Sequence, residues 1–117
     1  MESLNIILRR PPYGTIDAPE AIRHALGGIN DDMKVRLVLL DGGVNAARKA
    51  QDITGTEYLS AGEGIQDCID MGVEVYADEL SLKNERLNKD GIVEGVIISN
   101  STEVAEIIKE DCTTMIF

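Results

Sequence analysis

The chain is 117 residues long, 44% hydrophobic and 27% charged, with one Phe, three Tyr and no Trp. That length holds one compact domain, residues 1–117, and is too short for two, and a core so poor in aromatics has to be built from Ile, Val, Leu and Ala. A formal net charge of −10 and a pI near 4.4 argue against a general nucleic-acid or anionic-membrane binder, because such proteins need a basic face.

The opening "MESLNIILRRPP" starts acidic and turns basic after its apolar run, the reverse of a signal peptide. No run reaches the roughly 18 to 20 apolar residues of a membrane span. A cytoplasmic protein is the expectation. Cys68 and Cys112 are too few for a disulfide framework and belong to no C-x-x-C or Cys/His cluster, so neither a structural metal nor a cofactor is expected.

The first strand is predicted over Leu4 to Arg9, "LNIILR". Asp17 and Glu20 then have the spacing of a capping box ahead of Ala21, Ile22, Ala25 and Leu26, with Gly27-Gly28 as the stop. A second strand, "VRLVLLD", covers Val35 to Asp41. After "DGGV" a short helix is expected from Asn45 to about Ala50, followed by an irregular loop over Gln51 to Leu59. Ser60 and Glu63 make a second capping box before Ile65, Cys68 and Ile69, and Gly72 ends that helix. "VEVYA", Val73 to Ala77, is the third strand, with a helix from Leu80 to about Arg86 behind it. "VEGVIIS", Val93 to Ser99, is the fourth. Asn100 and Glu103 cap a helix containing Val104, Ile107 and Ile108, and "TTMIF", Thr113 to Phe117, closes the chain.

Strands separated by helical patterns predict βαβ units, and therefore an α/β protein: a three-layer α/β/α single domain with a mainly parallel five-stranded sheet. The second and fourth runs are almost continuously apolar, as strands covered on both faces should be. The third alternates and is expected nearer an edge.

In such sheets ligands bind beyond the carboxyl ends of the strands. The residues there are Arg9, Arg10 and Tyr13, then Asp41, Gly42, Gly43 and Asn45, then Asp78 and Glu79, then Ser99, Asn100 and Ser101. This is a polar edge of mixed charge. Gly42-Gly43 fits neither the G-x-G-x-x-G nor the G-x-x-x-x-G-K pattern and reads better as a tight strand-to-helix turn than as a ligand cradle. G-x-G in "SAGEGIQD" opens a helix after a loop and carries little nucleotide signal. His24, the single histidine, reads as part of a solvated helix face and supports no triad. Cys68 shares an apolar helix face with Ile65 and Ile69 and reads as a buried thiol, while Cys112 precedes the last strand, away from the crevice. For Arg9 and Arg10 two readings stand side by side, pairing of one Arg with Asp41 or Asp78 and anion binding, the pairing being at least as well supported. Asp78 is expected to cap the following helix, with Ser81 three residues on.

"IILRRPPYGTIDAPEAIRHAL", "VLLDGGVNAA", "VEVYADELSLKNERL" and "VAEIIKEDCTTMIF" together, in this order and spacing, resemble the DsrE/DsrF/TusC-type (DsrEFH) sulfur-relay proteins over nearly the whole chain. The resemblance implies a persulfide-carrying cysteine at the end of the third strand, and aligning "SLKNERL" puts Asp78 at that position. Arg86 stands where the family usually has glycine. A persulfide needs a thiolate that both attacks and leaves, which Asp lacks. The resemblance thus implies a non-catalytic or accessory subunit that binds a partner protein or a small anion at the crevice, as a homo-oligomer (trimer or hexamer) or with a cysteine-bearing paralogue or a sulfur-carrier protein. The alternative is a sulfurtransferase using Cys112 or Cys68.

Overall fold

The computed structural model describes residues 3–49, 60–109 and 113–117. The expected loop at 51–59, and Cys112, lie outside the described residues. Five parallel strands form one sheet in the order β4-β3-β2-β1-β5: β1 Ser3–Leu8, β2 Lys34–Leu39, β3 Glu74–Asp78, β4 Ile97–Ser99 and β5 Thr113–Ile116. The helices are α1 Asp17–Asn30, α2 Ala61–Asp70, α3 Glu79–Asn84 and α4 Ser101–Lys109.

Chain direction decides which face each helix covers. From β1 to β4 the chain steps one strand at a time the same way, so right-handed crossovers put α1, α2 and α3 on one face; the return from β4 to β5 puts α4 on the other. The larger core confirms this: Leu4, Ile6, Leu8, Val35, Leu37, Leu39, Val75 and Ala77 meet Ala18, Ala21, Ala25, Ile65 and Leu82. Across the sheet, among the described residues, Ile7 and Val38 meet Val104, flanked by Leu40, Tyr76 and Ile107. Alanines along α1 let that helix lie close to β1 and β2, and at about 25 cal/mol per Å² of apolar area removed from water this face carries most of the stability.

Several local expectations are corrected. The fourth strand is an edge strand of three residues, with Ile97 44% exposed, because its "VEG" opening turns instead of pairing. The third lies one place in from that edge. "DGGVNAA" forms a 3₁₀ segment, Asp41–Ala47, rather than a helix beginning at Asn45. α1 has no side-chain cap: Asp17 is already in its first turn and pairs with Arg10 at 3.2 Å, while Glu20 pairs with Arg23 at 2.7 Å. Gly27-Gly28 does not stop it either. Gly28 is buried, and a Cβ there would lie 2.8 Å from Val35 Cγ2, so the glycine serves helix-to-sheet packing. The Ser60–Glu63 and Asn100–Glu103 caps are made as expected.

α1, α2 and α3 all end in the same device. The amide two residues past the cap bonds back to the third-last helical carbonyl: Met33 to Gly28 at 3.0 Å, Val73 to Cys68 at 2.9 Å, Leu87 to Leu82 at 2.9 Å. The residue between must take positive φ. Asp32 (61°), Gly72 (101°) and Arg86 (57°) do so. Asp and Gly tolerate that region, whereas a long side chain there costs about 1 kcal/mol. Replacing Arg86 by Gly is therefore expected to raise unfolding stability by about 1 kcal/mol, a gain of roughly 4 °C in Tm; a calorimetric Tm that is unchanged or lower would contradict this.

Candidate functional site

β3 and β4 are neighbours, yet the chain leaves β3 toward α3 on one face and leaves β4 toward α4 on the other. Where adjacent strands diverge in this way, a crevice opens beyond their carboxyl ends. Asp78 and Ser99 are register partners at that point, and both are buried.

Asp78 is held firmly. Its Oδ2 accepts the backbone N–H of Ser81 at 3.0 Å and the Ser81 hydroxyl at 2.7 Å, capping α3 as the sequence suggested. Ser81 Oγ in turn accepts the backbone N–H of Asp41 at 2.8 Å. One serine therefore ties together the end of β3, the start of α3 and the turn after β2. A buried carboxylate with two short donors on one oxygen is stabilised as an acceptor, and each such bond contributes on the order of 1 kcal/mol or more.

Asp41 itself adopts positive φ (49°) as the chain leaves β2. Its side chain reaches outward and pairs with Arg9 Nε at 3.3 Å, both groups well exposed, so this pair orients two side chains more than it stabilises the fold. Gly43 sits so close to β1 that a Cβ would fall 2.1 Å from the Leu8 carbonyl oxygen, and its N–H donates to the carbonyls of Leu40 (2.8 Å) and Arg9 (3.2 Å). A Cβ on Gly42 would lie 2.9 Å from Pro11. The glycine pair is thus required by the close approach of two strand ends.

A second cluster lies alongside. Asn45 Nδ2 donates to the Gly42 carbonyl at 3.0 Å and to Glu85 Oε1 at 2.6 Å, and Asn45 Oδ1 accepts from Arg48 Nε at 2.8 Å. Arg48 also donates to the Glu85 carbonyl at 3.3 Å. Sequence reasoning found Asn45 but missed Ser81 as a bridge and missed Glu85 and Arg48 altogether; their partners are 37 to 40 residues away in the chain, so no local pattern announces them.

Other expected site residues go elsewhere. Arg10 turns to Asp17 on α1, and the Tyr13 hydroxyl accepts the N–H of Ala61 at the start of α2, 3.3 Å away. Glu79 pairs with Lys83 at 3.4 Å on the exposed side of α3. Asn100 and Glu103 cap α4 reciprocally, with Ser101 as the first residue of that helix. His24 is half-buried rather than solvated, its Nδ1 2.7 Å from the Glu20 carbonyl oxygen and its ring 5.5 Å from that of Phe117.

Cys68 is fully buried in the α2 layer, and that burial, with a smaller contribution from Asp67, pushes its thiol up to about 12. A sulfur carrier needs an accessible thiolate, whereas the Cys68 thiol is enclosed and its ionisation is disfavoured. Among the described residues no group of three or more His, Cys, Asp or Glu converges as a metal site, and no helix is long and apolar enough to cross a membrane.

With this geometry in hand, comparison with known proteins is informative. Residues 2–117 match the DsrE/DsrF-like family. The chain is 33% identical over 96 residues to the intracellular sulfur oxidation protein DsrF of Allochromatium vinosum, covering 81% of this chain and 71% of that protein. It is 26% identical over 118 residues to an uncharacterized protein of Methanopyrus kandleri, covering 100% of this chain and 95% of the other. Among solved structures, the ychN protein from E. coli superposes with a TM-score of 0.87 at 19% identity, with full coverage of both chains. A protein of unknown function from Methanobacterium thermoautotrophicum superposes with a TM-score of 0.73 at 15% identity, again over both whole chains.

Proposed function

The chain belongs to the DsrE/DsrF-like family, and on that premise we propose that it is a non-catalytic, accessory subunit of intracellular sulfur relay, acting by binding at the carboxyl edge of its sheet. One observation carries this reading: the side chain at the end of β3, beside the β3/β4 crevice, is a buried carboxylate committed to Ser81. In this reading Asp78 stands at the position that the family resemblance implies for the sulfur-carrying cysteine of relay members. A carboxylate neither attacks nor leaves as sulfur transfer requires. The exposed Arg9–Asp41 pair at the mouth offers both signs of charge to a partner protein or small anion.

The test is loading with a persulfide donor, followed by intact mass measurement. The native protein is expected to keep its mass, whereas an Asp78→Cys variant gains about 32 Da, one sulfur atom, because the crevice around it is retained. A stoichiometric gain on the native chain, at Cys112 or any other residue, would replace this reading with a sulfurtransferase.

The accessory role includes assembly into a trimer or hexamer, alone or with a cysteine-bearing paralogue. The α4 face supports it. Among the described residues a single nine-residue helix covers that side of the sheet, and Ile97 and Ile116 on either side of it are 44% and 66% exposed. Apolar surface of this kind is stabilised by a subunit interface. Sedimentation over a wide concentration range is expected to give a species of three or more chains; a strict monomer throughout would contradict the assembly.

A further inference from the structure

Five of the eleven Lys and Arg residues, Arg48, Lys49, Lys83, Arg86 and Lys89, come from two stretches of a chain whose net charge is −10. The fold makes these stretches one surface. Lys49 N–H donates to the Gly91 carbonyl at 2.9 Å, Val93 N–H to that of Ala47 at 2.8 Å, and Arg48 to that of Glu85 at 3.3 Å; Arg48 and Ile92 form an isolated antiparallel bridge. The surface lies at the far end of α3, beyond the crevice-facing cap at Asp78.

Two features mark it out from an ordinary solvated surface. Arg9, Arg10, Arg23, Arg36 and Lys83 each meet a carboxylate, whereas among the described residues no ion pair holds Lys49, Arg86 or Lys89. In an acidic protein, three uncommitted cations on one surface are a local reversal of charge. In addition, Arg86 occupies a left-handed position (φ 57°) that a glycine would fill at lower cost. Strain kept at one residue calls for a function of its side chain.

Between Lys49 and Lys89 lies a cavity of about 210 Å³ floored by Ile92, Val93 and Val96, with Asp90 and Glu94 on its rim. We infer that this surface is a docking site for an acidic segment of a partner protein, whose carboxylates meet Lys49, Arg86 and Lys89 while an apolar side chain enters the cavity. The apolar floor suits a polypeptide rather than a bare anion. Asp90 and Glu94 oppose a uniformly charged polyanion such as a nucleic acid, and so restrict where the acidic residues of the partner can lie. The site adjoins the crevice through the Asn45–Glu85–Arg48 cluster but does not depend on whether the protein carries sulfur.

Fluorescence anisotropy of a labelled Glu-Glu-Leu-repeat peptide, titrated with the full chain at low salt, tests this. Saturable binding that weakens with salt is expected, together with loss of about tenfold in affinity for Lys49→Glu/Lys89→Glu. Arg86→Gly is expected to bind about threefold more weakly while folding at least as stably, which separates a contact from a structural role. Amide shifts on binding should map to the segments around Lys49 and from Lys83 to Val96. The proposal is overturned if an uncharged Gln-Gln-Leu-repeat control peptide binds equally well, if the variants bind like the parent, or if a single-stranded oligonucleotide competes the peptide off.

Discussion

The carboxyl edge of this protein depends on one carboxylate oxygen. Asp78 Oδ2 takes two hydrogen bonds from Ser81, whose Oγ takes a third from the backbone of Asp41. This relay holds the β3–α3 junction to the turn after β2, 40 residues away in sequence and adjacent in space. It does so at the carboxyl end of β3, whose neighbour β4 sends its crossover to the opposite face. In a medium less polar than water such a chain of bonds is strengthened, and the loss of any one member leaves the others as costly buried orphans.

The same relay limits the chemistry available there. A carboxylate that satisfies a helix N-terminus and a serine hydroxyl has one oxygen committed to the fold. The sulfur of Cys68 lies in the packed layer under α2, where burial pushes its thiol up to about 12. Gly43 contributes in a different way: by admitting the Leu8 carbonyl to within touching distance, it keeps the ends of β1 and β2 together and sets the position from which Arg9 and Asp41 project.

Much of the architecture was legible in the sequence because it rests on local patterns. Alternation of apolar runs with capped helices gave five strands and the layers, and the Asp78–Ser81, Ser60–Glu63 and Asn100–Glu103 spacings are short-range signals that the structure honours. What was not legible is set by tertiary context. Strand order alone makes the apolar "VIIS" an edge, and packing against Val35 turns Gly28 from an expected terminator into a helix interior contact. Of the expected crevice residues, Arg9, Asp41, Gly42, Gly43 and Asn45 gather with Asp78 and Ser99, whereas Arg10 and Tyr13 are drawn away by partners on α1 and α2. The bridge made by Ser81, and the Asn45–Glu85–Arg48 cluster, require contacts that span 37 residues or more.

The central claim, that Asp78 is a structural anchor of the crevice and not a reactive group, is tested most directly by a double-mutant cycle of Asp78→Ala and Ser81→Ala in denaturant unfolding. A buried, mutually dependent pair predicts a coupling free energy of about 1 to 2 kcal/mol between the two sites. Additive effects, with a coupling near zero, would mean that Asp78 is not held by Ser81 and would contradict the account.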